Sequence, residues 1–81
     1  MPQHEIRIRH SNNDAAVVID GNTVNVNEDL AVLLWNAIAE YLNDHCVDCK
    51  WNSPYDAKYI MSNLTVKIKR INNEITFIFE E

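Results

Sequence analysis

EDLAVLLWNAIAEYLNDHC, residues 28–46, is the stretch whose reading decides the fold. Its apolar residues recur at intervals of three and four, the period of an amphipathic helix. Asn27 offers an N-cap, and Glu28 and Asp29 suit the positive end of the helix dipole. At roughly 100° per residue, Leu30, Leu34, Ala37, Ile38 and Tyr41 fall on one apolar stripe. Ala31, Trp35, Ala39, Leu42 and Cys46 fall on a second stripe beside it. Asn36, Glu40, Asn43 and Asp44 make the polar edge. A helix lying on one sheet normally carries a single core-facing stripe. Two stripes need two covers, and the second is expected to be another protein or a second copy of this chain.

Upstream of the helix, His4 to His10 alternates, with Ile6 and Ile8 on one face and Glu5, Arg7 and Arg9 on the other, the pattern of a half-buried strand. Ser11-Asn12-Asn13-Asp14 is a turn cluster. Ala15 to Asp20 and Thr23 to Asn27 read as two further strands joined at Asp20-Gly21, a strong hairpin signal. The registers agree with one another. A two-residue turn at Asp20-Gly21 pairs Val17 with Val24 and Ala15 with Val26. A turn at 11–14 pairs Ile8 with Val17 and Ile6 with Ile19. Both choices keep the apolar residues on one face, whereas a one-residue slip scatters them.

Downstream, Val47 to Asn52 reads as irregular. Ser53-Pro54 opens a predicted short helix to about Ser62, with Ser as cap and Pro at the first position. Leu64 to Ile71 and Glu74 to Glu80 read as a terminal hairpin turning at Asn72-Asn73, which pairs Ile68 with Phe77 and Val66 with Phe79. The expected fold is a single α+β domain over 1–81. A β-meander, a long helix, a short helix and a C-terminal β-hairpin build one antiparallel sheet, with the helices on one face.

With 81 residues the chain makes one domain, and 47% hydrophobic residues is ordinary for a folded protein. No apolar run approaches the roughly 20 residues of a membrane span. Met-Pro-Gln-His-Glu lacks a basic-then-apolar leader, so a cytoplasmic location is expected. The net charge of −5 argues against broad nucleic-acid binding. One glycine in the whole chain makes a phosphate-cradling loop hard to build. No Ser–His–carboxylate set or paired-carboxylate motif stands out. The expectation is a protein without enzymatic activity, cofactor, membrane partner or small-molecule substrate.

Four constellations remain. The second helix stripe, with Ala31, Trp35, Ala39 and Leu42, is the leading protein-binding candidate, joined by Trp51, Tyr55 and Tyr59. Trp, Tyr and Met are common at interface hot spots. The plain alternative is that the short helix covers this stripe. Arg7, Arg9, Lys67 and Lys69 point away from the helices and form a rival anion- or oligonucleotide-binding face, although a solvated face explains them as well. Cys46 and Cys49 are expected as reduced core cysteines. With His45 they form at most a partial metal set, since a structural zinc wants four ligands, and a redox role or disulfide is a further alternative. His4 and His10 read as rim residues of the core. The small, acidic, asparagine-rich composition fits a protein with which a phage or mobile element blocks a host enzyme.

Overall fold

The computed structural model describes residues 3–11 and 14–81. Asn12 and Asn13 of the first turn, and Met1 and Pro2, lie outside the described residues. Among the described residues there are seven strands and one helix. In chain order they are β1 (Gln3–Ser11), β2 (Asp14–Ile19), β3 (Asn22–Asn25), α1 (Glu28–His45), β4 (Asp48–Trp51), β5 (Asp56–Ile60), β6 (Thr65–Ile71) and β7 (Glu74–Glu80). All seven strands pair antiparallel in one sheet, in the order β3-β2-β1-β7-β6-β5-β4. Two meanders, β1–β3 and β4–β7, meet where β1 pairs with β7.

The expected registers are present. Ile8 faces Val17, Ile6 faces Ile19, Val17 faces Val24, Ile68 faces Phe77 and Val66 faces Phe79. The pairing of β2 with β3 stops at Ala16 and Asn25, one step short of Ala15 and Val26. Asp20 (φ 49°) and Gly21 (φ 85°) both take positive φ, as a two-residue type I′ turn demands. Asn72 (φ 53°) does the same at the start of the last hairpin.

The short helix expected from residue 54 to about 62 does not form; the segment holds the end of the turn and the second strand of the β4–β5 hairpin. Ser53 Oγ accepts from the backbone N–H groups of Tyr55 and Asp56, both at 3.1 Å. These are the bonds of a helix cap, but here they tighten a turn that Asn52 N–H closes onto the Asp56 carbonyl at 2.9 Å. Beyond it, Ala57 and Tyr59 are buried while Asp56, Lys58 and Ile60 are exposed. That period of two is a strand's signature. Val47 to Asn52, read as irregular, contains the edge strand β4.

The helix has to carry the chain from the β3 edge to the β4 edge. Eighteen residues make a rod of about 27 Å, and six inter-strand steps span about 29 Å. One helix of this length therefore reaches across the whole sheet. Asn27 Oδ1 caps it by accepting from Leu30 N–H at 2.8 Å. The core lies between α1 and the inner sheet face, where Ile8, Val17, Tyr59, Val66, Ile68 and Phe77 are buried with Ala31 and Leu42.

Candidate functional site

Both apolar stripes of α1 exist, with their roles exchanged relative to expectation. Ala31 is 0% and Leu42 3% exposed. Trp35 packs on the core, its indole edge-on to His10 with ring centroids 4.9 Å apart. The stripe expected to meet a partner is therefore the one that faces the sheet. Ala31 and Leu42 cannot reach a second protein, and Ala39 is half-buried on the same side. Small side chains at 31 and 39 let the helix backbone approach the sheet, and Trp35 fills the space between them.

The outward surface of α1 lies about 100° around the helix from the core. There Leu30, Leu33, Ala37 and Tyr41 are exposed, Leu33 at 62% and Tyr41 at 59%. On a helical wheel these four fall within about 80° of one another. Leu34 and Ile38, of the same expected stripe, turn inward and pack on the core. Beside Ala37 and Tyr41 the surface dips into a depression lined by Ile6, Ile38, Met61, Leu64 and Phe79. Asp29, Glu40 and Asp44 are exposed along one side of the stripe, and α1 carries no Lys or Arg. Leu33 was missed because it belongs to neither expected stripe. Its spacing, three residues after Leu30 and four before Ala37, was the available signal. The Tyr41 hydroxyl, the polar atom of its stripe, was the clue to which stripe stays wet.

The aromatic candidates of the hairpin lie elsewhere. Tyr59 is buried and accepts at its Oη a 3.1 Å bond from Trp51 Nε1–H. The Arg70 guanidinium lies 5.2 Å from the Trp51 ring centroid, a cation–π contact. Trp51 thus has a slot on its own chain and keeps a partly exposed edge. Tyr55 is 61% exposed at the tip of the β4–β5 turn.

The outer sheet face collects six of the seven basic residues, all but Arg70: Arg7, Arg9, Lys50, Lys58, Lys67 and Lys69. Three of the four expected anion-binding residues are already ion-paired. Arg7 pairs with Glu5 at 2.9 Å and Glu74 at 3.5 Å, and Arg9 with Asp14 at 3.2 Å. Lys67 reaches Glu80 at 3.2 Å. Lys50, Lys58 and Lys69 form no ion pair among the described residues. The free charge therefore sits on β4–β6, not on β1.

The cysteine expectation is corrected. Cys46 and Cys49 are joined in a disulfide, with Cα atoms 5.9 Å apart, so neither offers a thiolate to a metal or a reduced thiol to the core. His45 Nδ1–H donates to the Tyr41 carbonyl at 2.9 Å while its ring stacks on Tyr41. His4, at the sheet rim, bonds the Asp20 carboxylate at 2.8 Å. That bond raises the His4 pKa above its ordinary value near 6.5. The Asp20 pKa is lowered, first by the Glu5 N–H it accepts from and then by His4.

No helix among the described residues is long and apolar enough to cross a membrane. The chain matches no protein-family model, no curated protein and no solved structure.

Proposed function

We propose that this chain is a non-enzymatic protein-interaction module that binds through the outward stripe of α1. Leu30, Leu33, Ala37 and Tyr41 form the contact, and the neighbouring depression takes one apolar side chain of the partner. The observation that carries this is four apolar side chains left exposed at helical spacing after the sheet has taken the other stripe. An apolar strip left exposed after the core is filled is the usual mark of an interaction surface. Its rim of Asp29, Glu40 and Asp44 selects the partner's chemistry: an apolar segment flanked by Lys or Arg. The acidic, asparagine-rich composition extends the proposal to a phage or mobile-element protein that blocks a host enzyme. A cytoplasmic setting belongs to the same proposal. Reducing compartments open bonds such as Cys46–Cys49, so thiol titration of protein isolated under alkylating conditions tests that part.

The decisive experiment uses two amphipathic helical peptides, one of leucine and lysine and one of leucine and glutamate. Binding is followed by nuclear magnetic resonance. The basic peptide is expected to bind and to shift the α1 resonances; the acidic peptide is not. Leu33→Asp should abolish binding without changing the circular dichroism spectrum or the melting temperature. Equal binding of both peptides, or no effect of Leu33→Asp, overturns the proposal. A dimer seen by light scattering and lost in Leu33→Asp assigns the stripe to self-association instead.

A further inference from the structure

The register of the β4–β5–β6 hairpins places three lysines side by side. Lys50 faces Lys58, and Lys58 faces Lys67, each pair directly opposite across adjacent strands. Neighbouring strands are about 4.8 Å apart, so the row spans about 10 Å. Lys69 lies on the same face of β6, two residues from Lys67. Like charges directly opposite one another destabilise a sheet. The chain has twelve acidic residues and places none in this stretch of the row. Folding gains nothing from such an arrangement, but a ligand with repeated negative charge does. Three carboxylates share the face and limit its strength: Asp48 on β4; Asp56, which faces Lys69 in register without forming an ion pair; and Glu80 on β7, which holds Lys67 at 3.2 Å. A shallow depression is lined by Lys58, Lys67, Lys69, Ile71 and Tyr55, a residue 61% exposed.

We infer that this face is a binding site for a short run of single-stranded nucleic acid, its phosphates along Lys50, Lys58 and Lys67 and one base stacked on Tyr55. A row of lysines with one flat aromatic at its side is the combination that holds unpaired strands without reading their sequence. The site lies on the sheet face opposite α1, so it stands or falls independently of the helix stripe.

The test is the anisotropy of a labelled octathymidylate titrated with the intact protein across a salt series. Three lysine contacts to a single strand give a slope of log affinity against log salt of about −2.1. Lys58→Gln should weaken binding about eight-fold at 50 mM salt and make the slope shallower by about 0.7. Tyr55→Ala should cost about five-fold or more through lost stacking. Arg9→Gln, on β1 and outside the lysine row, and Leu33→Asp on the far face should both bind as the parent does. The melting temperature of Lys58→Gln should not fall, which separates lost binding from lost fold. No binding at 50 mM salt overturns the inference, as does an affinity indifferent to Lys58→Gln. So does inorganic polyphosphate competing as well as the oligonucleotide while Tyr55→Ala has no effect, since that marks a bare charge sink.

Discussion

Replacing Lys58 with glutamate should make this protein more stable. Lys58 is the middle member of its row, with Lys50 on one side and Lys67 on the other. Lys58→Glu turns two repulsive cross-strand neighbours into two attractive ones. Directly opposed charged pairs contribute about 0.2–1 kcal/mol each, so the net gain is about 0.5–2 kcal/mol. All three side chains are exposed, which removes any desolvation cost and places the answer toward the lower half of that range. In a domain of this size about 1 kcal/mol moves the melting temperature by roughly 4–8 °C. Thermal unfolding followed by circular dichroism at 20 mM salt should therefore show Lys58→Glu melting about 4–8 °C above the parent. At 1 M salt the screening length is about 3 Å, shorter than the strand spacing, and the gain should nearly vanish. An unchanged or lower melting temperature at 20 mM salt refutes the lysine row. A gain that persists at 1 M salt refutes its electrostatic origin.

Trp35→Ala should cost about 2–4 kcal/mol in urea unfolding, somewhat below the range for a wholly buried tryptophan because Trp35 keeps some exposure; a loss below about 1 kcal/mol would return Trp35 to the surface. The His4–Asp20 pair makes stability depend on pH at both ends. The raised His4 pKa gives a contribution complete below its ordinary value near 6.5 and lost as pH rises through the folded value. The lowered Asp20 pKa gives one complete above about 3.8 and lost as pH falls through its folded value. The His4 ring titration, read by nuclear magnetic resonance, should therefore lie above 6.5 in the parent and fall toward it in Asp20→Asn, which preserves the turn because Asn tolerates positive φ; coincident curves refute the pairing. Reducing Cys46–Cys49 opens a ring of only four residues, so chain entropy predicts a loss of about 2 kcal/mol; urea midpoints with and without reductant check it, and identical midpoints contradict the bond.

Local signals carried much of the fold, and they failed where two signals shared the same residues. Asp20-Gly21 and Asn72-Asn73 declared their turns because few residues accept positive φ, and the alternation in β1, β2, β6 and β7 fixed which face each side chain takes. Residues 53–62 carried a helix cap and a strand period together. The cap is legible at Ser53-Pro54, but the alternation of Ala57 and Tyr59 against Asp56, Lys58 and Ile60 prevails because a strand buries both Ala57 and Tyr59. Losing β4 and β5 hid Lys50 and Lys58 from the basic face, because two positions in a loop and a helix have no register with Lys67. The stripes of α1 posed a different problem. Residues 28–46 show that two greasy faces exist, but which one meets the sheet depends on fit: Ala31 and Leu42 suit a close approach, and Tyr41 keeps its hydroxyl in water. The side-by-side placement of β1 and β7 lies beyond any local signal, since it joins residues 65 to 77 positions apart.

That seam governs how the molecule is assembled. β1 is made first and β7 last, yet the two are neighbours in the middle of the sheet, with Gln3 opposite Glu80. On a ribosome the early three-stranded half has an open flank and must wait for the closing strand to emerge. Until then Ile6 and Ile8 have a neighbour on one side only. Folding should accordingly be slow for so small a protein, because its central pairing closes the longest loop the chain contains. A chain cut short before Glu74 would be left as two unjoined fragments of sheet held by a single helix.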